Sequence, residues 1–172
     1  MNHLISYSKR GPYDEIATPP EAVDLVVPYL HELDAPDHTW PILWESAPPR
    51  RGNSKSKLAR RLREHGFVTL VEQSPRWDFF KWQTGGYDVQ VTNPPYSLKY
   101  KWIERTMELG KPAALLLPIT VIGAKAAHSF VTQCRVILLP HRIDFVGKRR
   151  PWFSVCWMLW RFPGRPGLEL GY

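Results

Sequence analysis

Short apolar runs of β type alternate with segments of helical period through most of the chain, and this alternation constrains the fold more than any other feature of the sequence. The runs are residues 41–45, 67–72, 87–92, 113–118, 135–139, 142–146 and 152–161. Between them fall Val23, Val26, Val27 and Leu30 at helical spacing, a segment from 54 to 65 with Leu58, Ala59 and Leu62 on one side, another from 98 to 109 closed by Gly110, and a fourth from about 122 to 131. Thr18 and Glu21 have the spacing of a capping box, and Ser97 stands where an N-cap would. Pro28 should shorten or kink the first helix. Parallel strands need crossovers of a dozen or more residues, usually helices. The continuous apolar run 113–118 suits a strand covered on both faces. The expectation is an α/β, Rossmann-like domain with a mostly parallel sheet and a C-terminal antiparallel hairpin, its last two runs joined by the basic loop 147–151. A length of 172 residues suits one domain. Residues 1–12 read as an irregular arm and 163–172 as a flexible Gly/Pro-rich tail.

The run at 87–92 feeds directly into Asn93-Pro94-Pro95-Tyr96. Proline fixes φ and has no N–H, so this turn offers carbonyls and an amide beside an aromatic ring. Such a set of acceptors next to a stacking surface suits a planar base with an exocyclic amine. These residues resemble the Asn-Pro-Pro-Tyr motif of S-adenosylmethionine (SAM) dependent amino-methyltransferases, chiefly the DNA adenine-N6 enzymes. The resemblance implies that Asn93 and the carbonyl of Pro94 accept from the target amine, that Pro95 stiffens the turn, and that Tyr96 stacks on a base flipped out of the duplex. It also implies the SAM-methyltransferase version of the Rossmann-like architecture. The methyl sulfonium is already activated, so positioning would supply most of the catalysis.

The same resemblance assigns cofactor positions. Asp14 and Thr18 match the Thr-Pro segment that packs over the methionine end of SAM. Glu45 and Gly52 belong to the loop after the first strand, Glu72 at the end of the second strand would bind a ribose diol, and Asp78 begins an Asp-Phe pair beside the adenine. The first loop departs from the family. Ser46, Pro48, Pro49, Arg50 and Arg51 stand where small, flexible residues let the backbone approach the cofactor. Two classes of function therefore stay open. One is a SAM-dependent adenine-N6 methyltransferase. The other is a methyltransferase-fold module without catalysis that binds nucleic acid or a partner protein. Neither a P-loop nor a GxGxxG is present to support a different nucleotide enzyme.

A net charge of +7 favours a polyanionic partner. DNA is the expected partner, with RNA adenine or a protein glutamine as alternative acceptors, since each offers an NH2 on a planar group. Lys148, Arg149 and Arg150 with Trp152 form a candidate nucleic-acid contact, cations beside a base-stacking ring. The arginines and lysines between 50 and 63 would either grip phosphate or form a solvated helix face. Cys134 and Cys156 lack metal-ligand spacing and read as reduced core residues, with no metal site expected. Trp157, Met158, Leu159 and Trp160 read as core. No apolar run reaches membrane-spanning length and no signal core is evident, so a cytoplasmic protein that does not bind membranes is expected. The residues say nothing of the oligomeric state.

Overall fold

The computed structural model describes residues 17–34, 40–48, 56–71, 78–81, 85–142 and 154–171. Seven strands form one sheet: β1 (Leu43–Glu45), β2 (Thr69–Val71), β3 (Val89–Thr92), β4 (Ala113–Pro118), β5 (Cys134–Leu138), β6 (Val155–Trp160) and β7 (Gly167–Leu170), in the order β2-β1-β3-β4-β6-β5-β7. The pairings β1–β2, β1–β3, β3–β4 and β5–β7 are parallel. Strand β6 runs antiparallel between β4 and β5. The sheet is thus the mixed, mostly parallel α/β sheet expected, with its antiparallel pair toward the C-terminus.

Helices cover both faces. Helix α1 (Pro20–Asp24), α2 (Val27–Leu30) and α3 (Lys57–Glu64) lie on one face, and α4 (Lys99–Leu109) and α5 (His128–Val131) on the other. The period-2 geometry of the strands divides the apolar residues between two cores. Val89, Val91, Ala114, Leu116 and Trp157 meet Leu58 and Leu62 of α3 and the N-terminal helices. Ala113, Leu115, Leu117, Cys156 and Met158 meet Trp102 and Ile103 of α4 and Phe130 of α5. Burial on both sides explains why β4 and β6 read as unbroken apolar runs. Cys134 and Cys156 are buried free thiols, and Trp157 to Trp160 are core.

Several local expectations change. Helix α1 starts one residue late: its N-cap is Pro19, without a side-chain bond, so the Thr18–Glu21 capping box does not form. The helix stops at Asp24, four residues before Pro28, whose ring clashes with the carbonyl at that distance, and α2 begins after a turn. Ser97 is not an N-cap. A 3-10 turn at Tyr96–Leu98 leads into α4 with Leu98 at its N-cap, and Gly110 closes the helix at φ 71°. The segment 122–131 is α-helical only from His128, after a 3-10 turn at Lys125–Ala127, because Ala124 is extended (φ −85°, ψ 123°) and interrupts the run.

The tail is also corrected. Beyond Pro163 it adds β7 to the sheet edge, where pairing with β5 satisfies backbone groups that a frayed tail would leave to water. Arg135 of β5 secures it. Its Nε lies 2.8 Å from Glu169 Oε1, its Nη1 donates to Pro163 O at 2.7 Å and to Glu32, and its guanidinium sits 4.8 Å over the Tyr29 ring. The stretch 143–146, with the basic loop after it, lies outside the described residues.

Candidate active site

Strand order reverses direction between β1 and β3. From β1 the chain passes through α3 on one face to β2, and from β3 through α4 on the other face to β4. Adjacent strands whose crossovers leave to opposite faces open a crevice beyond their carboxyl ends, and ligands of open α/β sheets bind there. Glu45 is the last residue of β1 and Asn93 follows the last residue of β3. These two expected site residues therefore flank the crevice.

Asn93 is partly buried and Pro94 and Pro95 are buried. The Asn93 Nδ2 donates to Thr18 Oγ1 at 3.2 Å, across 75 residues of sequence. Thr18 is 4% exposed. The Pro95 carbonyl accepts from Leu98 N at 2.9 Å within the turn, so it is Pro94 whose carbonyl suits an acceptor role. Tyr96 is more enclosed than a stacking residue at an open mouth would be: its ring packs on the first core, and burial pushes its phenol well above the usual range.

Glu45 is 3% exposed, and the Ser56 hydroxyl donates to its Oε2. Ser56 in turn caps α3, accepting from Ala59 N at 3.0 Å. Burial pushes the Glu45 carboxyl up to about 8, against the opposing pull of the Ala59 N–H and Arg63. Asp78 turns back on its own chain, its Oδ1 accepting from Phe80 N at 3.1 Å with Lys81 Nζ at 3.7 Å. Its neighbour Phe79 stacks on Trp102 (4.0 Å, 6°), with Phe80 edge-on to the same indole. That stacking anchors the Asp-Phe pair to α4.

Asp14, Gly52, Glu72, Lys148, Arg149, Arg150 and Trp152 lie outside the described residues. In the basic segment, Arg61 is bound to Asp24 at 2.6 Å and to Glu64 at 3.0 Å, and Arg60 is 3.6 Å from Glu64. Those two arginines are engaged with acids of the fold.

One group escaped the sequence reading. Gln90 Nε2 donates to Ser46 Oγ at 2.7 Å, and Thr106 Oγ1 donates to Gln90 Oε1 at 3.1 Å, all three residues being buried. This relay ties the end of β1 to β3 and α4 and sets their spacing at the crevice. The signal was a glutamine inside an apolar strand, since a buried amide needs partners for both ends.

Thr18 and Glu45 are both buried, Thr18 bonded to Asn93 and Glu45 to Ser56. The buried Thr92 hydroxyl beside Asn93 has no hydrogen-bond partner among the described residues. Of the two residues expected at the nucleoside end, Asp78 is described and Glu72 lies outside the described residues.

No family model matches the chain. No curated protein matches it. Among solved structures it is similar to a predicted O-methyltransferase of Agrobacterium tumefaciens, at 15% identity, covering 90% of this chain and 75% of that one, with a TM-score of 0.40. Likeness at that level carries no argument about reaction or substrate. What the strand order defines is an α/β domain with a switch point between β1 and β3.

Proposed function

We propose that the chain is a SAM-dependent methyltransferase acting on the exocyclic N6 amine of adenine in DNA. The observation that carries the reading is the position of Asn93-Pro94-Pro95-Tyr96 at the carboxyl end of β3, on the rim of the switch-point crevice. SAM, when bound, supplies a methyl group already activated on a sulfonium. The chain's own residues would do the positioning. The Asn93 Oδ1 and Pro94 carbonyl accept from the two N–H groups of the amine and draw its lone pair out of the ring. The Tyr96 ring braces the base. The amine sheds a proton once it carries the methyl and is acidic, so the site needs no strong base. Thr18 and Glu45, with Asp14, Gly52, Glu72 and Asp78, are the proposed cofactor contacts, and Lys148, Arg149, Arg150 and Trp152 the proposed DNA contacts.

The test is transfer of isotopically labelled methyl to DNA, RNA and protein acceptors, followed by hydrolysis and chromatography. Label is expected in N6-methyladenine from DNA, and none with Asn93→Ala. Label confined to RNA adenine or to glutamine would replace the acceptor and keep the chemistry.

One observation favours a second reading. The Glu45 carboxyl is already engaged by the Ser56 cap of α3, as it would be beneath a closed first loop. On that reading the chain is a binding module for nucleic acid or a partner protein. Titration of the folded protein with SAM separates the two: saturable heat supports the enzyme, and none up to millimolar ligand supports the module.

A further inference from the structure

The proposed function assigns Thr18 to the cofactor, but its observed contact suggests a different job. We infer that Thr18 is a positioning residue for Asn93: its hydroxyl oxygen takes the Asn93 Nδ2–H and anchors the carboxamide in the orientation that its acceptor role needs. The inference rests on the reading of Asn93 as the amine's acceptor.

The two ends of a carboxamide are nearly isosteric and opposite in hydrogen-bonding sense. With the oxygen toward an incoming amine, acceptor meets donor. With the NH2 toward it, donor meets donor and the amine is repelled. The bond from Nδ2 to Thr18 Oγ1 at 3.2 Å ties the carboxamide down in the first state, with Oδ1 on the opposite edge of the amide. Thr18 is 4% exposed, so water competes poorly for the bond.

Local sequence explains why this threonine oxygen is available. In a capping box it would accept from a backbone N–H of the helix. Here the N-cap moves to Pro19, whose carbonyl takes the N–H groups of Ala22 and Val23. The capping bond is lost and the hydroxyl points at Asn93. Proline after Thr18 also holds that residue in extended backbone, which fixes where the hydroxyl sits. The helix behind it is tied to the sheet by the Trp157 Nε1 bond to Ala22 O at 2.7 Å.

The test compares Thr18→Val, which keeps the shape and removes the hydroxyl, with Thr18→Ser, which restores it. Thr18→Ala is a second deletion should the valine misfold. The first readout is hydrogen exchange of the Asn93 side-chain amide by NMR, assigned by its disappearance in Asn93→Ala. Slow exchange in wild type and Thr18→Ser and fast exchange in the deletions is expected, and an equal rate in all of them overturns the inference. The second readout is kinetic. Loss of the hydroxyl should lower kcat on the order of 10- to 100-fold, the scale of a misplaced reacting group, with the KM for DNA and the Kd for SAM unchanged and serine near wild type. Unchanged kcat with weakened SAM binding would overturn it and return Thr18 to the cofactor. If the wild type transfers no methyl to any acceptor, the proposed function falls, while the exchange measurement still decides the Thr18–Asn93 contact.

Discussion

Asn93 follows the end of β3 and Glu45 ends β1, and their chemistry calls for different measurements. Asn93 is only partly buried, and its side chain bonds to Thr18 of a neighbouring segment. Asn93→Ala should therefore abolish methyl transfer while leaving the thermal midpoint and SAM affinity close to wild type. Turnover in that variant would end the assignment. Tyr96 packs on the first core, so Tyr96→Ala should lose stability along with activity, whereas Tyr96→Phe should keep both if the ring is what matters. For Glu45 the sign of the pH effect follows from burial. The folded chain holds the proton up to about pH 8, whereas an exposed glutamate releases it near 4.5. The resulting stabilisation is complete below that lower value and is lost as pH rises through the upper one. Urea midpoints of wild type should fall across that window. Those of Glu45→Gln, which keeps an acceptor for Ser56, should stay flat, and its unfolding free energy should be the higher by on the order of a few kcal/mol at the alkaline end.

At the scale of elements, the sheet edge is the place where composition misleads. Glycine and proline from 163 onward suggest a frayed tail, yet the segment is held by its pairing with β5 and by the ion pair of Arg135 with Glu169. Gly171 closes this edge, its N–H bonded to Leu138 O at 2.8 Å. A Cβ at Gly171 would stand 2.9 Å from that carbonyl oxygen, a contact that backbone cannot yield cheaply. Gly171→Ala should raise amide exchange in β7 while leaving β1, β3 and β4 protected, a local loss visible by exchange mass spectrometry. Gly110 is a different case. Its added Cβ would meet nothing closer than Arg161 at 3.7 Å, but φ is 71°, so Gly110→Ala should cost roughly 1–2 kcal/mol through the backbone alone.

For the molecule as a whole, stability rests on two cores separated by one sheet, and the core under α4 is unusually aromatic. Trp102 is fully buried, stacked on Phe79 and edge-on to Phe80, while Trp44 packs against Phe79 and Tyr87. Trp102→Ala should cost about 3–5 kcal/mol, a large share of the ~5–15 kcal/mol that holds a domain together. The loss should show as a cooperative drop in thermal midpoint through both cores, unlike the local effect at Gly171. The same cluster holds Asp78 in place through its neighbour Phe79, so methyl transfer should fall with it.

Much of this was legible in the chain because it is set by local physics. A run buried on both faces must be apolar throughout, so β4 and β6 could be read directly. A glycine at left-handed φ ends α4, and the Pro-Pro turn that carries Asn93 is stiff wherever it is placed. The sequence also placed Glu45 and Asn93 at strand ends, and there they are. Other features depended on partners remote in the chain, whose energies no local window contains. Inserting β6 between β4 and β5, pairing the tail as β7, and linking Ser46, Gln90 and Thr106 are all choices of this kind. So is the meeting of Thr18 with Asn93. The local rule gave Thr18 to a helix cap, and only the packing of that helix against the sheet brought its hydroxyl to an amide 75 residues away.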